Sequence, residues 1–139
     1  NRRSRGLGDV YKRQVNTDIS VRRDKLAEFY HHASDAIKTI CKNCRICGYG
    51  HVGDGNLHFN VVEAEGGDPD WPQKRAPLLA AIYASLSEFE GSISAEHGIG
   101  QLKTDQLKDT KDAHYYRIMT QIKNTFDPKN LLNPNRIIK

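Results

Sequence analysis

The feature that most constrains the fold is a glycine-rich turn between two short strand-like segments. Residues 45–52 and 57–62 are apolar or alternate in polarity, and Gly-Asp-Gly-Asn separates them at residues 53–56. Glycine adopts positive φ at little steric cost, so this string favours a tight reversal of the chain. The sequence therefore predicts a strand-turn-strand unit over residues 45–62.

Three other segments have the spacing of amphipathic helices. Apolar residues recur every three or four positions over residues 24–40, 73–90 and 112–126. Residues 15–21 and 91–95 read as further short strands. This mixture predicts an α+β fold in which helices cover one face of a small antiparallel sheet. In the third helix, the side chains predicted to point into the core are Tyr115, Ile118, Met119 and Ile122.

The net charge of +4 lies entirely in residues 1–14. These hold five basic residues and one acidic residue, whereas the rest of the chain holds sixteen of each. The folded body is therefore neutral, and no nucleic-acid partner is expected.

We expect residues 1–14 to be a non-native or disordered tail, because they lack periodicity and the string GDVYKRQ resembles translated adapter sequence. Residues 15–139 are predicted to form the domain.

The cysteine content and hydropathy indicate the compartment. Cys41, Cys44 and Cys47 are too few for a secreted disulfide framework, which favours a reducing, cytoplasmic location. Their spacing also occurs in iron–sulfur proteins, but a fourth thiolate is absent, so small buried thiols are expected. No apolar run approaches the roughly 18 residues of a membrane span, and no transmembrane segment is expected. Peripheral attachment to a membrane stays open.

Two histidines flank the glycine-rich turn and are candidate metal ligands. His51 and His58 are seven positions apart, and a tight turn can bring such side chains together. Two imidazoles and one carboxylate bind first-row metals and leave coordination positions open for substrate. Glu96 is the best-placed carboxylate, since it follows a predicted strand in a glycine-bounded turn. Taken alone, a histidine near the end of a strand is more often a hydrogen-bonding structural residue than a metal ligand.

Two polar residues near the turn carry different expectations. Asp54 is expected to cap the turn by accepting backbone N–H groups, and it is left out of the metal set. Asn60 alternates with His58 along the strand and should point to the same side. Asn60 is thus a candidate substrate contact, with a cross-strand hydrogen bond as the alternative.

Four motifs carry a resemblance to a known family. Gly-His-Val-Gly-Asp-Gly-Asn-Leu-His at residues 50–58 and Ser-Ala-Glu-His-Gly-Ile-Gly at residues 94–100 resemble the C-terminal domain of FAD-linked oxidases. These flavoproteins include D-lactate dehydrogenase, D-2-hydroxyglutarate dehydrogenase and the flavoprotein component of glycolate oxidase. Thr-Asp-Ile-Ser-Val at residues 17–21 and the Asp-Pro to Asn-Pro segment at residues 127–134 resemble further family segments. The likeness covers nearly everything after the tail.

The resemblance implies roles for the residues around the turn. His51, His58 and Glu96 correspond to ligands of zinc or a similar divalent ion, and His97 corresponds to the catalytic base. Asn60 corresponds to a substrate contact.

The resemblance also implies a fold and a cofactor. The fold would be the C-terminal portion of a ferredoxin-like cap domain, with FAD bound mainly by a preceding domain that is missing from this sequence. By the resemblance, Asn133 would lie in a tail segment that contacts the flavin. Asn135 and Arg136 replace a common Gly-Lys pair after it, and this departure bears on that contact.

The implied function is FAD-dependent oxidation of a small D-2-hydroxy acid, of the lactate, glycolate or 2-hydroxyglutarate type, to the 2-oxo acid. His97 would take the proton of the metal-assisted hydroxyl while hydride passes to the flavin. The electron acceptor is open, and a homodimer is one possible assembly. Two alternatives stay open: a stand-alone divalent-metal-binding module without catalysis, and histidines that only stabilise the turn.

Overall fold

The structure, a computed structural model, describes residues 13–138 of the chain. It divides into a first compact unit that ends at Ala95 and a second that begins at Glu96, and each unit is described by itself. The predicted tail falls largely outside the described residues. Gln14, its last residue, is described and pairs with Val62 in the sheet.

Strand β4 (Asn56–Val62) is the central strand of the first unit. Strand β3 (Arg45–Tyr49) pairs with one of its edges, antiparallel, and places Tyr49 opposite His58. Strands β1 (Gln14–Val15) and β2 (Ile19–Ser20) pair antiparallel with its other edge. The predicted strand-turn-strand unit is therefore confirmed, and it forms the centre of the sheet.

The strand predicted over residues 15–21 is interrupted. Residues 16–18 leave the ladder between β1 and β2, and within this break the Thr17 hydroxyl donates to the Phe59 carbonyl over 2.7 Å. The strand predicted over residues 91–95 is reduced to an isolated bridge between Ser92 and Ser20. Side-chain hydrogen bonds thus replace part of the backbone pairing at this edge.

Two helices cover one face of the sheet, as the sequence predicts. Helix α1 (Leu26–Ile40) follows a short 3-10 turn, and its Phe29 ring meets Phe59 edge-on at 5.9 Å. Helix α2 (Trp71–Glu88) packs against α1 and begins two residues before its predicted start. Among the described residues, the apolar side chains with no exposed surface form this core: Ile19, Phe29, Ala33, Ile37, Phe59, Val61, Leu78 and Ile82. The α+β class is confirmed, while the ferredoxin-like topology stays a prediction.

The second unit contains helices α3 (Thr104–Thr110) and α4 (Ala113–Phe126). Helix α4 matches its predicted range, because the Asp112 carboxylate caps it by accepting the His114 N–H over 2.8 Å. The predicted inward face is wrong: no residue of α4 is buried. The exposed fractions of the predicted core residues there reach 60% at Tyr115 and 54% at Ile122. Within residues 13–138, no helix combines the length and apolar character that crossing a bilayer requires.

Candidate functional site

The turn that carries His51 is held by backbone hydrogen bonds. The His51 carbonyl accepts the N–H groups of Asp54 and Asn56 at 2.9 and 3.2 Å. Gly55 has a φ of 73°, in the left-handed region, and a Cβ there would lie 2.0 Å from the carbonyl oxygen of Val21. Only glycine fits this approach, which is closed by the Val21 N–H donating to the Gly55 carbonyl over 2.9 Å.

Two candidate side chains, those of His58 and Asn60, lie on one face of β4. His58 and Asn60 are two residues apart, so they share the face opposite to buried Leu57 and Phe59. The His51 side chain is exposed and His58 is half-buried. The first unit therefore presents both imidazoles at its surface.

Asn60 bridges two elements through its side-chain amide. Its Oδ1 accepts the backbone N–H of Thr17 over 3.1 Å, inside the break between β1 and β2. Its Nδ2 donates to the Tyr49 hydroxyl over 3.1 Å. The cross-strand hydrogen bond, which is the structural alternative to a substrate contact for Asn60, is thus present. The Nδ2 group also carries a second N–H, which these two bonds do not use.

Tyr49 is a residue that the sequence pattern did not single out. It lies opposite His58 in the β3–β4 register, and the two rings stack with centroids 5.1 Å apart and planes inclined by 28°. More than half of Tyr49 is exposed, so the core does not explain this ring. The signal that could have found it is the register of the hairpin, which places an aromatic residue across from a candidate ligand.

Asp18 is a second missed residue, and it anchors the segment that precedes Glu96. Its buried carboxylate accepts the Ser94 hydroxyl over 3.1 Å, and its carbonyl accepts the Ala95 N–H over 3.3 Å. Burial, together with the negative charge of Asp18, raises the pKa of the Tyr83 hydroxyl. The adjacent polar pair Thr17-Asp18 is the sequence signal that could have indicated Asp18. In the structure, the Thr17 hydroxyl donates to the Phe59 carbonyl, and the Asp18 carboxylate accepts the Ser94 hydroxyl.

Glu96 and His97 open the second unit. Both are exposed, and the following loop contains Gly98 with a φ of 72° and Gly100 with a φ of 56°. His51 and His58 belong to the first unit. The structure therefore describes the surroundings of His51 and His58 within the first unit, and those of Glu96 and His97 within the second.

Within residues 13–138, the structure gathers no group of three or more His, Cys, Asp or Glu side chains in a metal-binding arrangement. The three cysteines are free thiols, with Cys41 buried. The Cys44 thiol donates to the Cys41 carbonyl over 2.9 Å, and burial raises its pKa to about 12. These features agree with the expected role of the cysteines as partly buried thiols.

Asn133 lies in a loop that Asp127 organises. The Asp127 carboxylate accepts the N–H groups of Leu131 and Leu132, each over 2.8 Å, and pairs with Lys123. The hydrogen bond from Lys123 holds the pKa of Asp127 below its usual value. Asn133 itself is exposed, with a φ of 48°, and lines a cavity of about 410 Å³.

Comparison with known proteins identifies related sequences. The family model described as FAD linked oxidases, C-terminal domain, matches residues 4–137. The chain is similar to the mitochondrial D-2-hydroxyglutarate dehydrogenase of Danio rerio, with 38% identity over 94% of this chain and 23% of the relative.

Two further relatives give the same picture. The mitochondrial D-2-hydroxyglutarate dehydrogenase of Arabidopsis thaliana is 34% identical over 94% of this chain and 22% of the relative. The D-lactate dehydrogenase of Anaerostipes hadrus is 35% identical over 86% of this chain and 25% of the relative. The chain thus spans about a quarter of the length of the curated relatives it matches. It belongs to the family of FAD-linked oxidase C-terminal domains.

Proposed function

We propose that this chain supplies the metal-binding and proton-accepting part of the active site of an FAD-dependent dehydrogenase. The substrate would be a small D-2-hydroxy acid of the lactate, glycolate or 2-hydroxyglutarate type, oxidised to the 2-oxo acid. The observation that carries the proposal is the family match over residues 4–137, with relatives named for D-2-hydroxyglutarate and D-lactate. The two histidines at the surface of the first unit support it.

For the metal, we propose His51, His58 and Glu96 as ligands of zinc or a similar divalent ion. Two imidazoles and a carboxylate fit the ligand preferences of such ions and leave positions open for a substrate. The accessibility of the side chains supports this assignment, because His51 and Glu96 are exposed and His58 is half-buried. The donor chemistry therefore fits the ion that the family resemblance implies.

For the reaction, His97 accepts the proton of the substrate hydroxyl. When bound, FAD accepts two electrons as hydride, and the divalent ion acidifies a nearby hydroxyl group. The O–H electrons form the new carbonyl bond, and the C–H bond at the α-carbon breaks with its electron pair leaving as hydride. A positioned base of this kind contributes about 10²–10⁴-fold to the rate.

Asn60 and Asn133 complete the proposed contacts. The second N–H of the Asn60 amide would donate to a substrate oxygen, on the face that His58 shares. Asn133 would contact the flavin from its exposed loop in the second unit. Both assignments rest on the family resemblance, and the exposure of Asn133 supports the second.

The test uses the full-length product of the gene that contains this chain. Oxidation of D-lactate, D-2-hydroxyglutarate and glycolate is measured with an artificial electron acceptor, beside the metal content of the purified protein. His97→Ala is expected to lower kcat by about 10²–10⁴-fold. The matched control is His31→Ala, an exposed histidine of α1 that should leave turnover unchanged.

Two outcomes would overturn the proposal. Turnover that survives the double substitution of Glu96 and His97 by alanine would refute the assigned base and ligand. Metal bound by a protein that oxidises none of the three acids would favour the stand-alone metal-binding module.

The cellular setting is also proposed. We retain a cytoplasmic location without a nucleic-acid partner, and a homodimer as one possible assembly. Two relatives carry the word mitochondrial in their names, so an organelle is the competing location. Cell fractionation and light scattering of the full-length protein would test both points.

A further inference from the structure

The tyrosine opposite His58 is placed as a positioning group would be. The Tyr49 ring is held next to the imidazole by the strand register, and the 28° inclination at 5.1 Å is an offset stack. Tyr49 is 58% exposed, so its ring contributes little to the buried core. What the ring does contact is the side chain of a proposed ligand.

The other end of the ring is fixed as well. The Tyr49 hydroxyl accepts the Asn60 Nδ2–H over 3.1 Å, and Asn60 is in turn held by the Thr17 backbone through its Oδ1. Asn60 is 7% exposed, so this amide is part of the packed first unit. A continuous set of contacts therefore runs from buried Thr17 through Asn60 and Tyr49 to the His58 imidazole.

We propose that Tyr49 is a positioning residue that fixes the orientation of the His58 imidazole for ligation of the divalent ion. The inference rests on the proposed function, because it assumes that His58 binds metal. A histidine on a strand surface populates several rotamers, and only some point its nitrogen at an ion. A ring stacked on one side removes part of that freedom before binding, which raises affinity by lowering the entropy lost on ligation.

A purely structural role is the competing explanation. Cross-strand aromatic pairs stabilise sheets, so loss of Tyr49 could weaken only the β3–β4 pairing. The two roles differ in their observables. A positioning role changes the affinity for metal, whereas a structural role changes the unfolding temperature of the metal-free protein.

The experiment measures zinc affinity of the full-length protein by titration with a chelator, beside thermal unfolding of the metal-free form. Tyr49→Leu removes the ring and is expected to weaken zinc binding by about 10–100-fold, the range found when groups that orient ligands are removed. Tyr49→Phe keeps the ring and should retain most of the zinc affinity, which falls by about 2–10-fold because the hydroxyl is missing.

The matched control is Tyr115→Leu in the second unit. Tyr115 is 60% exposed and also contacts a histidine, His114, edge-on at 6.0 Å. This change should leave zinc affinity within about twofold of the wild type.

The outcomes separate the two proposals. Zinc affinity unchanged in Tyr49→Leu but lost in His58→Ala would refute the positioning role alone. A wild-type protein that binds no zinc, or a His58→Ala variant that keeps it, would refute the metal site and the positioning role together. If Tyr49→Leu does not fold, Tyr49→Thr takes its place, because threonine suits a strand but lacks the ring. A folded Tyr49→Thr variant with zinc affinity within about twofold of the wild type would refute the positioning role.

Discussion

Replacing Gly55 by alanine should destabilise the first unit, because this glycine meets two separate constraints. Its φ of 73° costs an L-residue about 1–2 kcal/mol. The added Cβ would also lie 2.0 Å from the Val21 carbonyl oxygen, where real Cβ atoms stay beyond 3.0 Å. Separating these atoms disturbs the Val21 N–H bond to the Gly55 carbonyl, a net loss of about 0.5–1.5 kcal/mol. The expected total is about 1.5–3.5 kcal/mol.

The assay is urea unfolding of the 139-residue chain, followed by the fluorescence of its single tryptophan. Trp71 is 3% exposed and lies in α2, so its emission reports on the first unit. Two glycines of the same unit separate the contributions, because within the described residues neither would place a Cβ within 4 Å of another heavy atom. Gly66→Ala, at a φ of 91°, tests the backbone strain alone, and Gly53→Ala tests neither constraint.

The expected order of destabilisation is Gly55, then Gly66, then Gly53. A Gly55→Ala variant no less stable than Gly66→Ala would show that the approach to Val21 does not hold the turn. The same comparison applied to zinc affinity in the full-length protein would report whether the turn also places His51.

Two further predictions concern titratable groups. Burial raises the pKa of Cys44 to about 12, so its alkylation by iodoacetamide at pH 8 should be about 10³-fold slower in the folded chain than in denaturant. Mass spectrometry of the digested chain measures the two rates, and equal rates would contradict the burial of this thiol. Asp127 has its pKa lowered below 3.8 by Lys123, so its stabilising contribution is present above that value and is lost as the pH falls through the lower folded pKa. Amide exchange at Leu131 and Leu132 should therefore be faster in Asp127→Asn than in the wild type at pH 6, and the difference should disappear as the pH falls through the lowered pKa of Asp127. A difference that persists once the carboxyl is protonated would rule out the ionised carboxylate as its source.

Local sequence predicts helices α1, α2 and α4 well, whereas α3 was not among the predicted helices. The ranges of α1, α2 and α4 follow from an apolar period of three to four residues, since helical hydrogen bonds join residues close in sequence. Burial does not follow in the same way. The apolar face of α4 is visible in the sequence, but its exposure depends on whether another segment covers it, and Tyr115 and Ile122 remain exposed.

The strand at residues 15–21 shows a different limit. Alternation predicts extended backbone, and β1 and β2 are extended. The break between them depends on Asn60, whose amide accepts the Thr17 N–H. No local pattern around Thr17 reports this contact, because the partner lies 43 residues away in the chain.

The candidate site divides along the same line. By itself the sequence determined the glycine-rich turn, the motif residues His51, His58, Glu96 and His97, and the family, because contiguous motifs carry that information. Only the tertiary structure decided that Tyr49 stacks on His58 and that Asp18 holds the segment before Glu96. The physical reason is that these contacts join residues distant along the chain, and strand register and packing bring them together.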